Sequence, residues 1–182
     1  MIALARSKPG QINYSSSGPG GAPHLGAELF KSMAKIDLVH IPYKGSGPSF
    51  ADLLGGQVSL TCDSLVQALP YIRGHRLRAL GMLGAKRSTL LPDVPTIAES
   101  GLAGYGLTNW FGLVVPAGTP RELVARINAA VVKILQQKDV RERLMAMGAD
   151  VVGSSPEAFG AFMQAESAKW AKVVKEAHIR AE

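Results

Sequence analysis

"INYSSSGPGGAPHLGAELFKSMAKIDLVHIPYKGSGPSFADLLGG", residues 12–56, sets a short β-rich run against a glycine-rich turn and a helix start, and then does so again. First INYSSS gives way to GPGGAPHLGAELFKSMAK; then DLVHIPY gives way to KGSGPSFADLLGG. Pro or Gly stands where each helix begins, a position whose backbone N–H has no partner inside the helix. Outward from this stretch the alternation continues, with VSLTCDS (58–64) leading into LVQALPYIRGH (65–75) and then a further strand candidate, LRALGML (77–83). Strands and helices alternating through connections this short build a mostly parallel sheet with helices packed on it, so the fold class is α/β.

Beyond residue 83 the texture changes to a proline-punctuated segment, GAKRSTLLPDVPTIAESGLAGYG, followed by the strand candidate WFGLVVP (110–116). The likeliest domain boundary therefore falls near residues 78–84. Thr119, Pro120 and Glu122 form a capping-box pattern for a helix. Leu123, Val124, Ile127, Val131, Ile134 and Leu135 recur at helical spacing and mark a stripe for burial. Ser155 and Pro156 repeat the start signal for a helix carrying Phe159, Phe162, Met163, Trp170, Val173 and Val174.

The composition, 182 residues with 47% hydrophobic and 19% charged, suits a globular chain with a buried core. A formal charge of +6 invites anionic partners. Its Lys and Arg are nevertheless scattered, as RGHRLR, AKR, VRERL and KWAKVVKEAHIR, which reads as solvated helix faces and no nucleic-acid partner. No apolar stretch approaches the roughly 20 residues of a membrane helix. MIALARSKPG lacks the basic region, apolar core and cleavage site of a secretory signal. Cys62 is the only cysteine, which excludes an internal disulfide; it reads as a small buried strand residue.

In open α/β sheets ligands bind beyond the carboxyl ends of the strands, where helix-start amides point outward. Residues 15–22, 43–47 and 62–65 fall into one such mouth. The first offers several backbone donors at a helix N-terminus, for which a carboxylate or phosphate is the natural guest, and its glycines allow close approach. The same glycines also suit a plain turn. GxxxxGK and GxGxxG are both absent, which argues against nucleotides, and no cofactor is expected. Ser15, Ser16 or Ser17 with His24 and Asp63 contains the ingredients of a hydrolytic triad, yet no Ser sits in a GxSxG elbow. The four histidines, at 24, 40, 75 and 178, lack zinc-ligand spacing, and His40 lies in a strand.

Taken in order, YSSSGPGGAPHLGAELFKSMAKIDLVHIPYKGSGPSFADLLGGQV, LRALGMLGAKRSTLLPDVPTIAESGL, WFGLVVPAGTP and KWAKVVKEA resemble the periplasmic substrate-binding proteins of tripartite tricarboxylate transporter systems, the Bug family. The resemblance runs over essentially the whole chain. It implies a periplasmic-binding-protein-like fold of the type II, Venus-flytrap kind. It also implies a receptor without catalysis, one that captures a small carboxylate in the periplasm and passes it to membrane permease subunits. Family members are longer. The resemblance therefore implies an N-terminally truncated chain that starts, at MIALARSKPG, in the first helix of the second lobe. Residues 1–80 would be a complete second lobe, and residues 81–182 the hinge return and C-terminal half of a partial first lobe. Such a fragment is expected to bind weakly and to expose WFGLVVP with Ile127, Val131 and Ile134, favouring self-association. A vestigial fragment that binds nothing is the remaining alternative to the receptor and the hydrolase.

Carried over by the resemblance, the second-lobe anion loop falls on residues 15–24, the PYKG turn on 42–45 and a strand-end acid on Asp63. The candidate ligand-binding residues are Ser16, Ser17, Gly18, Gly20, Gly21, Ala22 and His24 in the loop, Tyr43, Lys44 and Gly45 in the turn, and Asp63. The family loop commonly carries Thr or Ser immediately before the His. Here Gly21, Ala22 and Pro23 stand there, which leaves the amides of Gly20, Gly21 and Ala22 as donors. His24 either contacts a carboxylate or fixes the loop. Lys44 either attracts the anion or solvates a turn, and Asp63 suits a structural or water-holding role.

Overall fold

The computed structural model describes residues 1–176. His178 and the end of the KWAKVVKEAHIR stretch lie outside the described residues. The chain divides into two compact units, one comprising Met1–Asn109 and the end of the last helix from Lys172, the other Trp110–Ala171. The division falls after Asn109, downstream of the 78–84 junction expected from sequence texture.

In the first unit α1 (Ile2–Ser7) precedes β1 (Asn13–Ser16), α2 (Ala22–Ala34), β2 (Val39–Pro42), α3 (Ser46–Leu54), β3 (Leu60–Thr61) and α4 (Leu65–Arg73). All three strands are parallel in the order β2-β1-β3, with Tyr14 opposite His40 and Leu60, and Ser15 opposite Ile41 and Thr61. β1 is therefore central, and its neighbours lie on opposite sides of it, the arrangement that opens a crevice at strand carboxyl ends.

Successive strand residues face opposite sides of a sheet, and β1 uses both sides for different chemistry. Tyr14 packs with Ala27, Phe30 and Ala34 of α2, with Ala5 of α1, and with Ile12, Leu38 and Tyr105 in the main apolar cluster. Ser15, fully buried, accepts from Ser49 Oγ of α3 at 2.8 Å, so a polar strand residue is satisfied inside the core. Phe50 of α3 stacks on Tyr71 of α4 at 5.1 Å between ring centroids.

Two strand expectations are corrected. Within LRALGML only Met82 forms a bridge, to Thr96, and the Leu83 carbonyl accepts from the Leu107 amide at 2.8 Å. WFGLVVP pairs with no strand among the described residues, and Phe111, Leu113 and Val114 are 80%, 71% and 76% exposed. A strand exists only through a neighbour's hydrogen bonds: WFGLVVP has no such ladder among the described residues, and that of LRALGML is confined to Met82 and Leu83.

The second unit holds α5 (Arg121–Leu135), α6 (Lys138–Ala146) and most of α7 (Pro156–Glu176). The Ser155–Pro156 start forms as expected, with Ser155 Oγ accepting from the Ala158 amide at 3.2 Å. The Thr119 capping box does not form. Thr119 Oγ1 instead donates to the Pro116 carbonyl at 2.8 Å, and Pro120 is the residue before the first helical turn. The stripe on α5 is not buried either: Leu123, Ile127 and Ile134 are exposed, while Val124, Val131 and Leu135 are half-buried. Trp110 meets Phe159 and Phe162 edge to face, and Gly112 lies so close to the Phe159 ring that no side chain fits there.

Candidate functional site

The parallel sheet delivers the starts of α2, α3 and α4 at the carboxyl ends of β1, β2 and β3. Backbone hydrogen bonds join the three segments. The Tyr43 amide donates to Ser16 O at 3.2 Å, the Gly45 amide to Ser17 O at 3.0 Å, and the Cys62 amide to Ser15 O at 3.3 Å. The loop, the PYKG turn and the strand end before Asp63 are thus brought together, as their placement beyond parallel strands requires.

Within the loop Ser16 is fully buried. Its Oγ lies 2.7 Å from His40 Nε2 and accepts from the Gly18 amide at 3.3 Å. Gly20 has a left-handed backbone, φ 72°, and donates its amide to His24 Nδ1 at 3.0 Å. Of the three amides expected to stand open, Gly20 is therefore closed by the protein's own side chain. Those of Gly21 and Ala22 make no hydrogen bond among the described residues. A Cβ at Gly20, Gly45 or Gly47 meets nothing within 4 Å, so the loop and the start of α3 are not packed over at these positions. Unpaired amide donors at the start of α2 suit an anion.

His24 is 6% exposed, its Nε2 is 4.0 Å from Glu28 Oε1, and its ring stacks on His40 with centroids 4.0 Å apart. That is the loop-fixing arrangement rather than a contact pointed at solvent. Desolvation, opposed in part by Glu28 and assisted by Lys31, holds His24 below its ordinary range. Desolvation followed by the nearby His24 lowers His40 to about 4. Both rings are neutral at pH 7.

Tyr43 gives its hydroxyl to Asp52 Oδ2 at 2.6 Å, which raises the phenol and ties the turn to α3. Lys44 is exposed and makes no ion pair among the described residues. Asp63 Oδ1 accepts from the Ser64 amide at 2.7 Å beside the start of α4; its Oδ2 is buried without a hydrogen-bond partner among the described residues. Cys62, packed against the apolar cluster, has its thiol pushed up to about 12 by desolvation and, less, by Asp63. It is protonated and unreactive at neutral pH.

The triad ingredients do not assemble. Ser16 pairs with His40 instead of His24, His24 is engaged with a backbone amide, and Asp63 with Ser64. Among the described residues no group of His, Cys, Asp or Glu is arranged to hold a metal ion. Sequence reasoning missed His40, Ser49 and Glu28. The signal for His40 was a lone titratable side chain inside the apolar run VHIP, which in a packed sheet needs a partner.

Residues 1–179 of the sequence match the family described as tripartite tricarboxylate transporter family receptor. The Bordetella pertussis protein BugT is 37% identical over 176 residues, 97% of this chain and 54% of BugT. The chain spans about half the length of the curated relatives it matches. The solved structure of R. palustris Rpa4515 with adipate superposes with a TM-score of 0.93 at 39% identity, covering 98% of this chain and 60% of that one. That of MatC (Rpa3494) from Rhodopseudomonas palustris with bound malate has a TM-score of 0.85 at 34% identity, covering 95% of this chain and 60% of that one.

Proposed function

The chain belongs to the tripartite tricarboxylate transporter receptor family, and we propose that its own task is to hold a small carboxylate at the mouth formed by the starts of α2 and α3. Members of this family are periplasmic binding proteins and receptors, not enzymes. One observation carries the reading for this chain. The Gly21 and Ala22 amides stand without acceptors among the described residues, and a Cβ at Gly20, Gly45 or Gly47 would meet nothing within 4 Å. The adipate and malate of the two superposable structures support a dicarboxylate as the guest class.

In this reading Gly21 and Ala22 donate to the carboxylate, Ser17 and Gly18 shape the loop, Lys44 supplies long-range attraction, and Asp63 holds water or the strand end. Residues 1–80 serve as the second lobe, and residues 81–182 as the hinge return and the C-terminal half of the first. The permease subunits of a tripartite transporter receive the ligand, and the site of action is the periplasm. A flytrap receptor draws affinity from both lobes and from excluding water between them. With one wall alone, each helix-start contact to a solvated anion contributes about 0.3–1 kcal/mol. Immobilising a free ligand costs several kcal/mol. The chain as given therefore binds carboxylates no tighter than about millimolar. Its exposed Phe111, Leu113 and Val114 favour self-association.

Calorimetry with adipate, malate, citrate, glutamate and benzoate, alongside sedimentation of the same sample, tests this. Weak, saturable dicarboxylate binding is the expected result. Micromolar binding by a clean monomer overturns the one-wall argument, and no binding even at tens of millimolar overturns the receptor reading for this chain.

A further inference from the structure

We propose that His24 and His40 are a pair of positioning residues that hold the two ends of the loop 16–20 at neutral pH, and that acidification releases the His24 end. What the loop holds rests on the receptor reading above; the clamp itself rests only on the geometry of the two rings.

The parallel register is where the pair originates. It sets His40 of β2 directly beside Tyr14 of β1, and the two rings stack with centroids 4.8 Å apart and planes 22° from parallel. His24, in the first turn of α2, stacks on the other side of His40 at 4.0 Å and 12°. The three rings form one pile beneath the loop, and each imidazole holds a different end of it. His40 Nε2 lies 2.7 Å from Ser16 Oγ, which receives the Gly18 amide, so His40 fixes the entry. His24 Nδ1 accepts the Gly20 amide, so His24 fixes the exit immediately before the open amides of Gly21 and Ala22.

The exit bond exists in one protonation state only. Nδ1 accepts from Gly20 while unprotonated, which places the neutral ring's proton on Nε2, the nitrogen that faces Glu28. A second proton on Nδ1 would set N–H against N–H and end the bond. It would also place a charge 4.0 Å from the face of His40, so the stacked pair cannot take two charges without separating.

The charged and titratable neighbours come from each packed element. From α2, Glu28 favours the imidazolium, and Lys31, held to Glu28 at 2.8 Å, opposes it. From β1, Tyr14 gives its hydroxyl to the same Glu28 oxygen at 2.6 Å, so that carboxylate is already committed twice. From the residue just after β3, Cys62 acts on Tyr14 and remains a neutral thiol. Burial wins over Glu28 for both rings, so the clamp is closed at pH 7 and its His24 end opens as the pH falls toward the low range in which the pair accepts a proton.

The test reads the loop without any ligand. Amide exchange of Gly20, corrected for intrinsic rates, is followed by NMR from pH 7 to pH 4 in the whole chain, with the Phe30 amide in the middle of α2 as the internal standard for global opening. Gly20 is expected to lose protection by roughly twofold to tenfold, the worth of one neutral hydrogen bond, while Phe30 stays protected. His24→Ala is expected to lack Gly20 protection at every pH. His24→Asn offers an acceptor that does not titrate and is expected to restore part of that protection without pH dependence. A Gly20 amide indifferent to pH, a His24→Asn protein as pH-sensitive as the parent, or parallel loss at Phe30 each overturns the clamp. Adipate titrations at pH 7 form a separate arm: failure of every protein to bind would remove the receptor reading, while the exchange data still decide the clamp.

Discussion

Tyr105 donates its hydroxyl to the carbonyl of Gly26 at 3.0 Å, joining residues 79 positions apart in the chain. The contact explains why residue 26, in the middle of a helix, has no side chain: a Cβ there would stand 2.6 Å from Leu107 Cδ2 and 3.3 Å from the Tyr105 hydroxyl oxygen. Both residues are nearly fully buried and cannot move aside freely. Gly26→Val is expected to lower stability by about 1–3 kcal/mol through overpacking, despite replacing a poor helix former. Tyr105→Phe, which removes one hydrogen bond and no volume to speak of, is expected to cost about 1 kcal/mol. Urea midpoints of the two variants check the order; a Gly26→Val protein as stable as the parent would mean that segment 105–107 is free to shift.

Glu28 is held by the Tyr14 hydroxyl at 2.6 Å and by Lys31 at 2.8 Å. Its side chain is 12% exposed, so losing either partner leaves a desolvated charge short of compensation. Tyr14→Phe is expected to destabilise by about 1–3 kcal/mol. Lys31→Met, which removes the countercharge, is expected to destabilise by a comparable amount. Urea midpoints of both variants against the parent at pH 7 check this; a variant as stable as the parent would show that the other partner alone suffices for the carboxylate.

Acid should destabilise this protein early. The folded chain keeps His24 and His40 below the ordinary 6.5, His40 down to about 4, whereas the unfolded chain protonates both near 6.5. Between those limits the unfolded state binds more protons, so the contribution present above pH 6.5 is lost as the pH falls toward 4. Glu99, lowered by the Thr96 amide and by Arg87, adds a loss of the same sign below its ordinary value of 4.5. Urea midpoints at pH 7.5 and pH 5 should differ in the parent and differ less in His40→Phe, which keeps a ring in the stack and cannot take a charge. Equal sensitivity in the two proteins would assign the acid response to other groups.

The loop should tolerate loss of a ring better than loss of a glycine. His24→Ala removes one acceptor from the Gly20 amide, worth about 1 kcal/mol. Gly20→Val forces a β-branched residue into a left-handed backbone with φ 72°, a strain of about 1–3 kcal/mol that the loop relieves by refolding. In NMR titrations with adipate the Gly20→Val protein is expected to bind more weakly than the His24→Ala protein. The reverse order would place the ring, not the backbone, against the ligand.

The alternation of β-rich runs, glycine turns and helix starts in residues 12–75 was enough to place β1, β2 and β3 and the helices after them, because local propensity and turn chemistry agree at every step there. The ordered motifs likewise sufficed for the family. What the sequence could not settle was which partner each group finds, near or far in the chain. LRALGML and WFGLVVP carry strand composition, yet pairing depends on a neighbour: the first finds one only at Met82, and the second finds none among the described residues. Thr119 had a capping pattern, but its hydroxyl found the Pro116 carbonyl first. The open Gly20 amide inferred from the loop was closed by His24, and the Ser16 hydroxyl went to His40, 24 residues away. That last pairing is set by the register of two parallel strands, and register is a property of tertiary packing: composition decides that a strand forms, and only the assembled sheet decides which side chains stand beside one another.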